Sequence, residues 1–258
     1  PVKKIKTKDL NLNLDTKFNF LTLAQWGPRK NLENTIAWFC EEFKNNEDVG
    51  LVVKAYARGN SRIDKEYVEN SIKRVMEHFS NSKCKVYLLH GYMTEQQIHS
   101  LYCDSNIHAL INFGHGEGFG LPIFEAAYSG LPVITHDFGG QKDFLYAPKK
   151  NKKGVEKLRA HFSKVPYDLR PVQKQVLWNG VIEPNMNWAY PSEAACKAAM
   201  RECYKNYDMV RGTAKRLKKW LEVEFEQSKK YEDFVQAFFG EELEAEKEID
   251  EIFNQLEL

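Results

Sequence analysis

Two kinds of apolar spacing alternate along the first half of the chain. Short continuous apolar runs at Phe18 to Ala24, Leu51 to Ala57, Val86 to Leu89, Ile107 to Phe113 and Leu131 to Thr135 read as strands buried on both faces. Between them Leu32, Ile36, Phe39, Cys40 and Phe43 recur at helical spacing, as do Tyr67, Val68, Ile72, Val75, Met76 and Phe79. Thr94 and Gln97 have the spacing of a capping box that opens a short helix through Ile98, Leu101 and Tyr102. Another helix is predicted from about Leu121 to Ser129, with Gly130 just past its end. The order β-α-β-α-β-α-β-α-β predicts an α/β fold, a Rossmann-like parallel sheet with helices on both faces.

The pattern changes after Thr135. Residues 142–174 hold ten Lys/Arg against three Asp/Glu, a local balance of +7, with little periodicity, and a basic insertion is expected over about 144–187. Helical spacing returns beyond Pro191, through Ala194 to Tyr204, Ala214 to Phe225 and Tyr231 to Phe239. Residues 241–258 carry eight acids against Lys247, a balance of −7, yet Leu243, Ile249, Ile252, Phe253 and Leu256 predict an acidic amphipathic C-terminal helix. An unpaired apolar stripe favours self-association, so either a homodimer or a loosely held C-terminal helix is expected there. Residues 1–16 mix charges, Asn and Leu without a period and read as a linker, which leaves 17–240 as the domain.

Composition narrows the function classes. With 37 Lys+Arg against 36 Asp+Glu the net charge is +1, so no global attraction to nucleic acid is expected. Five cysteines form no CxxC pair, and the seven histidines show no metal-ligand spacing; a reducing, cytoplasmic setting without a bound metal is expected. No apolar run approaches the ~20 residues needed to span a bilayer. A start at Pro1 rather than Met fits a piece of a longer protein.

In open parallel sheets ligands bind outside the carboxyl ends of the strands. The loop after the fourth predicted strand is Gly114-His115-Gly116-Glu117-Gly118-Phe119-Gly120, leading into Leu121-Pro122-Ile123-Phe124-Glu125. Alternating glycines let a ligand approach the backbone, and the following helix aims its amide donors at that point, which favours an anion. Glu117 and Glu125, eight residues apart, can each accept hydrogen bonds from the hydroxyls of a bound polyol. No G-x-G-x-x-G follows the first strand, so a dinucleotide fingerprint is absent.

The stretch HGEGFGLPIFEAAYSGLPVI, followed by HDFGGQKD, closely resembles the signature of retaining glycosyltransferases of the GT-B fold (glycosyl transferases group 1). The resemblance implies the C-terminal, nucleotide-sugar-binding half of that fold with a helical C-terminal extension. It implies a donor that is a UDP-, GDP- or ADP-sugar, with no cofactor besides it. The acceptor would be a glycan, lipid or protein, held mainly by a separate N-terminal domain, and the site would be metal-independent. Residue by residue it implies Glu125 on the ribose, Glu117 near the donor sugar and diphosphate, and the amides of Gly118, Phe119, Gly120 and Leu121 facing the phosphates. The turn at Gly91, Tyr92 and Met93 would meet the nucleobase, and Gly139 and Gly140 would lie near the sugar. The loop after the first strand usually offers an Arg and, five residues later, a Lys; Lys30 matches the Lys, Gln25 stands where the Arg belongs, and neighbouring Arg29 can supply part of the charge. The reaction implied is hexosyl transfer to a hydroxyl with retained configuration. A GT-B-type epimerase or phosphorylase, or a non-catalytic nucleotide-sugar-binding module, are the alternatives.

Overall fold

A computed structural model describes residues 5–150 and 154–240. The elements are β1 (Phe18–Gln25), α1 (Leu32–Phe43), β2 (Val49–Tyr56), α2 (Arg62–Met76), β3 (Lys85–Leu89), α3 (Glu95–Cys103), β4 (Ile107–Asn112), α4 (Leu121–Ser129), β5 (Val133–Thr135), α5 (Lys142–Leu145), β6 (Tyr146–Lys150), β7 (Glu156–Ala160), β8 (Ser163–Lys164), β9 (Tyr167–Pro171), β10 (Asn187–Pro191), α6 (Glu193–Lys205) and α7 (Tyr207–Glu224). Residues 227–240 are helical as well.

The main sheet has the order β3-β2-β1-β4-β5-β8, and every pairing in it is parallel. Strands covered on both faces need apolar side chains at successive positions, which is why β1, β2 and β4 show runs rather than alternation. Asn19 is the polar exception inside β1, and its amide donates to the carbonyls of Thr16 and Asn106. Gly50 beside it has no room for a Cβ, which would collide with the Asn19 and Thr16 side chains. The core joins Phe20, Ile36, Phe39, Leu51, Val53 and Ile111 to Cys196, Met200 and Cys203 of α6. Burial makes those two thiols packing atoms and pushes Cys203 up to about 12.

Helix ends follow the local signals. Thr94 and Gln97 form a complete capping box, and Gly130 takes a left-handed φ of 81° while its amide donates to the Ala126 and Ala127 carbonyls.

Three sequence-derived boundaries change. Residues 5–16 are not an undocked linker: the Lys8 amide donates to Ser100 Oγ and the Asp15 amide to the Tyr87 hydroxyl. The segment expected to be a basic insertion with little periodicity contains the β6–β7 hairpin and β9, which pairs with β10 just beyond it, and supplies β8, the sixth strand of the main sheet. Compact packing unites 5–218, and the described residues 219–240 belong to a second unit, so the division falls inside α7 rather than at residue 240. In the second unit Lys229 and Lys230 both pair with Glu224. The acidic C-terminal helix and its self-association fall on 241–258, outside the described residues.

Candidate functional site

The strand order reverses between β1 and β4, so the loops leaving these two strands lie side by side at a topological switch point. They are joined by the backbone, where the His115 amide donates to the Arg29 carbonyl at 2.7 Å. Gly114 is needed for that approach, because a Cβ there would lie 3.2 Å from the Arg29 oxygen. The Asn31 side chain completes the junction by donating to the Phe113 carbonyl.

Charge concentrates at this junction. Lys30 Nζ lies 2.5 Å from Glu117 Oε1, and Arg29 stands 3.6 Å from the other carboxylate oxygen. Asn112 from the end of β4 also donates to Glu117, at 3.4 Å. One carboxylate between two cations leaves a local balance of +1 facing the loop. The side chains of Glu117 and Lys30 are only 8% and 16% exposed, so their attraction is weakly screened.

The start of α4 stands next to this group. Gly120 adopts a left-handed φ of 86° and Pro122 occupies the first turn, where its missing N–H costs no hydrogen bond. The amides of Phe119, Gly120 and Leu121 donate to no backbone carbonyl among the described residues. They are available to an anion. Phe119 packs on Phe124 and Phe144, which fixes the loop from beneath while leaving it 41% exposed.

Gly139 and Gly140 close the other side of the loop. Gly139 forms a bridge with Glu117, and the Gly140 amide donates to the Gly118 carbonyl at 2.9 Å. A Cβ on Gly139 would sit 2.5 Å from the Glu117 carbonyl oxygen, so the glycine pair is explained first by backbone approach. Beneath them the Oε1 of buried Gln141 has no hydrogen-bond partner.

Glu125 sits one turn into α4 and faces α3. Burial is the largest cause of an upward shift of its carboxyl, the Tyr102 hydroxyl opposes it, and the charge of Glu95 adds to it. Tyr102 is 2% exposed and its buried hydroxyl has no hydrogen-bond partner among the described residues, which leaves a donor beside Glu125.

Other nominated residues lie apart from this centre. Gln25 turns its amide to the Ala57 carbonyl at 2.7 Å. It lines a cleft of about 1010 Å³ at the carboxyl ends of β1 and β2, together with Trp26, Arg58, Asp64, Tyr67 and Gln173. That cleft reaches the β4 loop only at His115. The turn holding Gly91, Tyr92 and Met93 lies at the end of β3, with Tyr92 77% exposed. It is held by buried Lys54, whose Nζ donates to the Gly91 carbonyl and whose pKa burial lowers.

Both histidines of the region are committed to the scaffold. His115 Nδ1 bonds the Ala189 carbonyl at 2.9 Å, and His136 Nε2 bonds the Gly114 carbonyl at 2.5 Å. Burial lowers both pKa values, which keeps the rings neutral as donors to those carbonyls. Two residues escaped the sequence reading. Arg58 lies two positions past β2, where no spacing marks it, and Lys54 hides inside an otherwise apolar strand. Among the described residues no group of three or more His, Cys, Asp or Glu is arranged to hold a metal ion. No helix there is long and apolar enough to cross a membrane.

Comparison with known proteins agrees with this architecture. Residues 3–155 match the family model for glycosyl transferases group 1. A serotype-specific mannosyltransferase, WbdA of Escherichia coli, is 31% identical over 119 residues, which is 46% of this chain and 13% of that protein. The C-terminal domain of a glycosyl transferase group 1 family protein, LpcC of Francisella tularensis, superposes with a TM-score of 0.55 at 14% identity, covering 82% of this chain and 88% of that one. Alr3699/HepE of Anabaena, solved in complex with UDP and glucose, gives 0.50 at 14% identity over 79% of this chain and 43% of its own.

Proposed function

The chain belongs to the glycosyl transferases group 1 family, and from that premise we propose that it is the donor-binding half of a retaining transferase that moves a hexosyl group from a nucleoside-diphosphate sugar to an acceptor hydroxyl. The observation that carries this reading is the meeting of Lys30, Arg29 and Glu117 with the unused amides that open α4, at the switch point of a parallel sheet. A diphosphate placed there meets two cations and a helix N-terminus. As its bond to the sugar breaks, negative charge grows on the leaving group, and these fixed groups stabilise it without rearrangement. The same positive groups do the work that a divalent ion would otherwise do, which supports a metal-independent reaction.

Glu117 has two parts in this scheme. It holds the Lys30 ammonium at a fixed place, and it offers acceptor capacity to sugar hydroxyls. Glu125, beside the buried Tyr102 hydroxyl, takes the ribose hydroxyls. Gln25 leaves the Arg position of the family pattern unfilled, and Arg58, from the loop after the neighbouring strand, is the cation that lines the same cleft. UDP and glucose bound to the Anabaena neighbour make a UDP-sugar the first donor to try. The acceptor, be it glycan, lipid or protein, is assigned to a separate N-terminal domain.

Calorimetry with UDP, GDP and ADP in excess chelator tests the reading. Binding of at least one of them is expected. No heat and no thermal shift with any of the three would remove the donor-site assignment.

A further inference from the structure

The basic segment singled out by its composition reaches the cleft beside Gln25 only through Gln173, and most of its charge lies elsewhere. It forms the β6–β7 hairpin, and between that hairpin and α7 runs a groove of about 750 Å³. Lys149, Lys150, Lys157, Arg159 and Arg216 line it, and no carboxylate does. None of these five makes an ion pair among the described residues. Several surface cations elsewhere are partnered, among them Arg62 with Glu66, Lys197 with Glu41 and Glu193, and Arg201 with Glu42.

The hairpin also carries an unfavourable arrangement. Its register sets Lys149 directly opposite Lys157, a destabilising pair of like charges, while the next rung sets Lys150 opposite Glu156. All five residues of β7 are exposed, and Leu158 and Val155 leave 66% and 49% of their surface to solvent. Unpaired cations interleaved with bare aliphatic side chains suit an interface that is anionic outside and apolar just beneath. A soluble anion would use the cations but leave the aliphatic residues in water.

The position of the groove supports a docking role. Tyr207 of α7 packs on Phe18 and His108 at the amino ends of β1 and β4, and Lys218 covers Gly130 ahead of β5. The α7 side of the groove therefore lies at the opposite end of the strands from the Glu117 loop. An occupant there leaves the donor site open.

We propose that the β6–β7 hairpin and the neighbouring face of α7 form a docking surface for a bilayer containing anionic phospholipid. The test is co-sedimentation of the chain with phosphatidylcholine vesicles, with and without a third of phosphatidylglycerol, at low and high salt. Binding is expected only to the anionic vesicles and is weakened by salt. Each basic residue at such a surface is worth about fivefold in partitioning. The double variant Lys149→Ala/Lys157→Ala should therefore lose about twentyfold or more, with nucleotide binding unchanged and a melting temperature that holds or rises. Leu158→Ser should reduce binding at both salt concentrations.

Failure of the wild-type chain to sediment with anionic vesicles overturns the proposal. So does a double variant that binds as well as wild type, which would place the contact elsewhere. Inorganic tripolyphosphate, followed by calorimetry, separates the sources of anion: heat that the double variant loses, in a chain that ignores vesicles, would assign the groove to a soluble polyanion instead. Nucleotide binding is read independently in every arm, so failure of the donor-site reading and failure of this one are distinguishable.

Discussion

Lys30 and Glu117 are 87 residues apart in the chain and 2.5 Å apart in the structure. Their pairing ties the loop after β1 to the loop after β4 at the point where the sheet changes direction. Removing the ammonium leaves a carboxylate that is 8% exposed, with Arg29 and Asn112 as its remaining partners. We expect Lys30→Ala to cost about 1 to 3 kcal/mol of stability, the range for an unpaired buried group. The double variant Lys30→Ala/Glu117→Gln should cost less than the sum of the two single changes, because the stranded charge is gone. Urea unfolding of the four proteins measures this, and additive losses would show that the two side chains do not depend on each other.

Tyr102 and Glu125 separate binding from folding. Glu125→Ala should weaken nucleotide affinity about ten- to a hundredfold, the value of a charge-assisted hydrogen bond, while costing the fold less than about 1 kcal/mol. Tyr102→Phe removes a buried hydroxyl that makes no hydrogen bond, so stability should hold or rise while affinity falls severalfold. The Tyr102 effect should vanish with a nucleoside diphosphate that lacks ribose hydroxyls. An equal loss with both ligands would assign Tyr102 to packing alone.

Gly140 is a steric test of the loop. A Cβ there would collide with the Gly118 carbonyl oxygen and lie 3.0 Å from the Phe119 Cα. Gly140→Ala should cost about 1 to 3 kcal/mol by overpacking and should lower nucleotide affinity, because the amides of 118–121 move with that carbonyl. Gly118→Ala has open space around it and serves as the control for stability. Thermal melts and calorimetry on both variants read the difference.

Acid should weaken the turn from β2 into α2. Burial favours a neutral Asp64, but the His90 ring at 2.9 Å and the amides of Arg58 and Ala57 overcome it and hold the carboxyl at about 2, against an ordinary value of 3.8. A folded-state value below the unfolded one adds stability that is complete above the unfolded value and is lost as pH falls through the folded one. The loss should therefore fall between about pH 4 and pH 2. Asp64→Asn should cost about 1.5 to 3 kcal/mol at neutral pH and flatten that part of the stability curve. Equilibrium unfolding across the acid range decides it; an unchanged slope in the variant would assign the acid sensitivity to other groups.

Much of the architecture was legible along the chain because its causes are local. A strand covered on both faces must be an apolar run, an amphipathic helix must repeat near every third or fourth residue, and Thr94, Gln97 and Gly130 mark helix ends by their own chemistry. The glycines at 114 and 120 were likewise readable, since a close backbone approach and a left-handed φ demand that residue type there. Tertiary structure alone decided the rest. The two-residue strand β8 has no apolar signal, because pairing with β5 rather than burial of its own side chains makes it a strand. The β6–β7 hairpin shows no alternation, because all of β7 faces water. Whether His115 and His136 meet a ligand or a carbonyl, and which carboxylate Lys30 finds, depend on strand order. That order is fixed by contacts between segments far apart in sequence, where no local preference can record it.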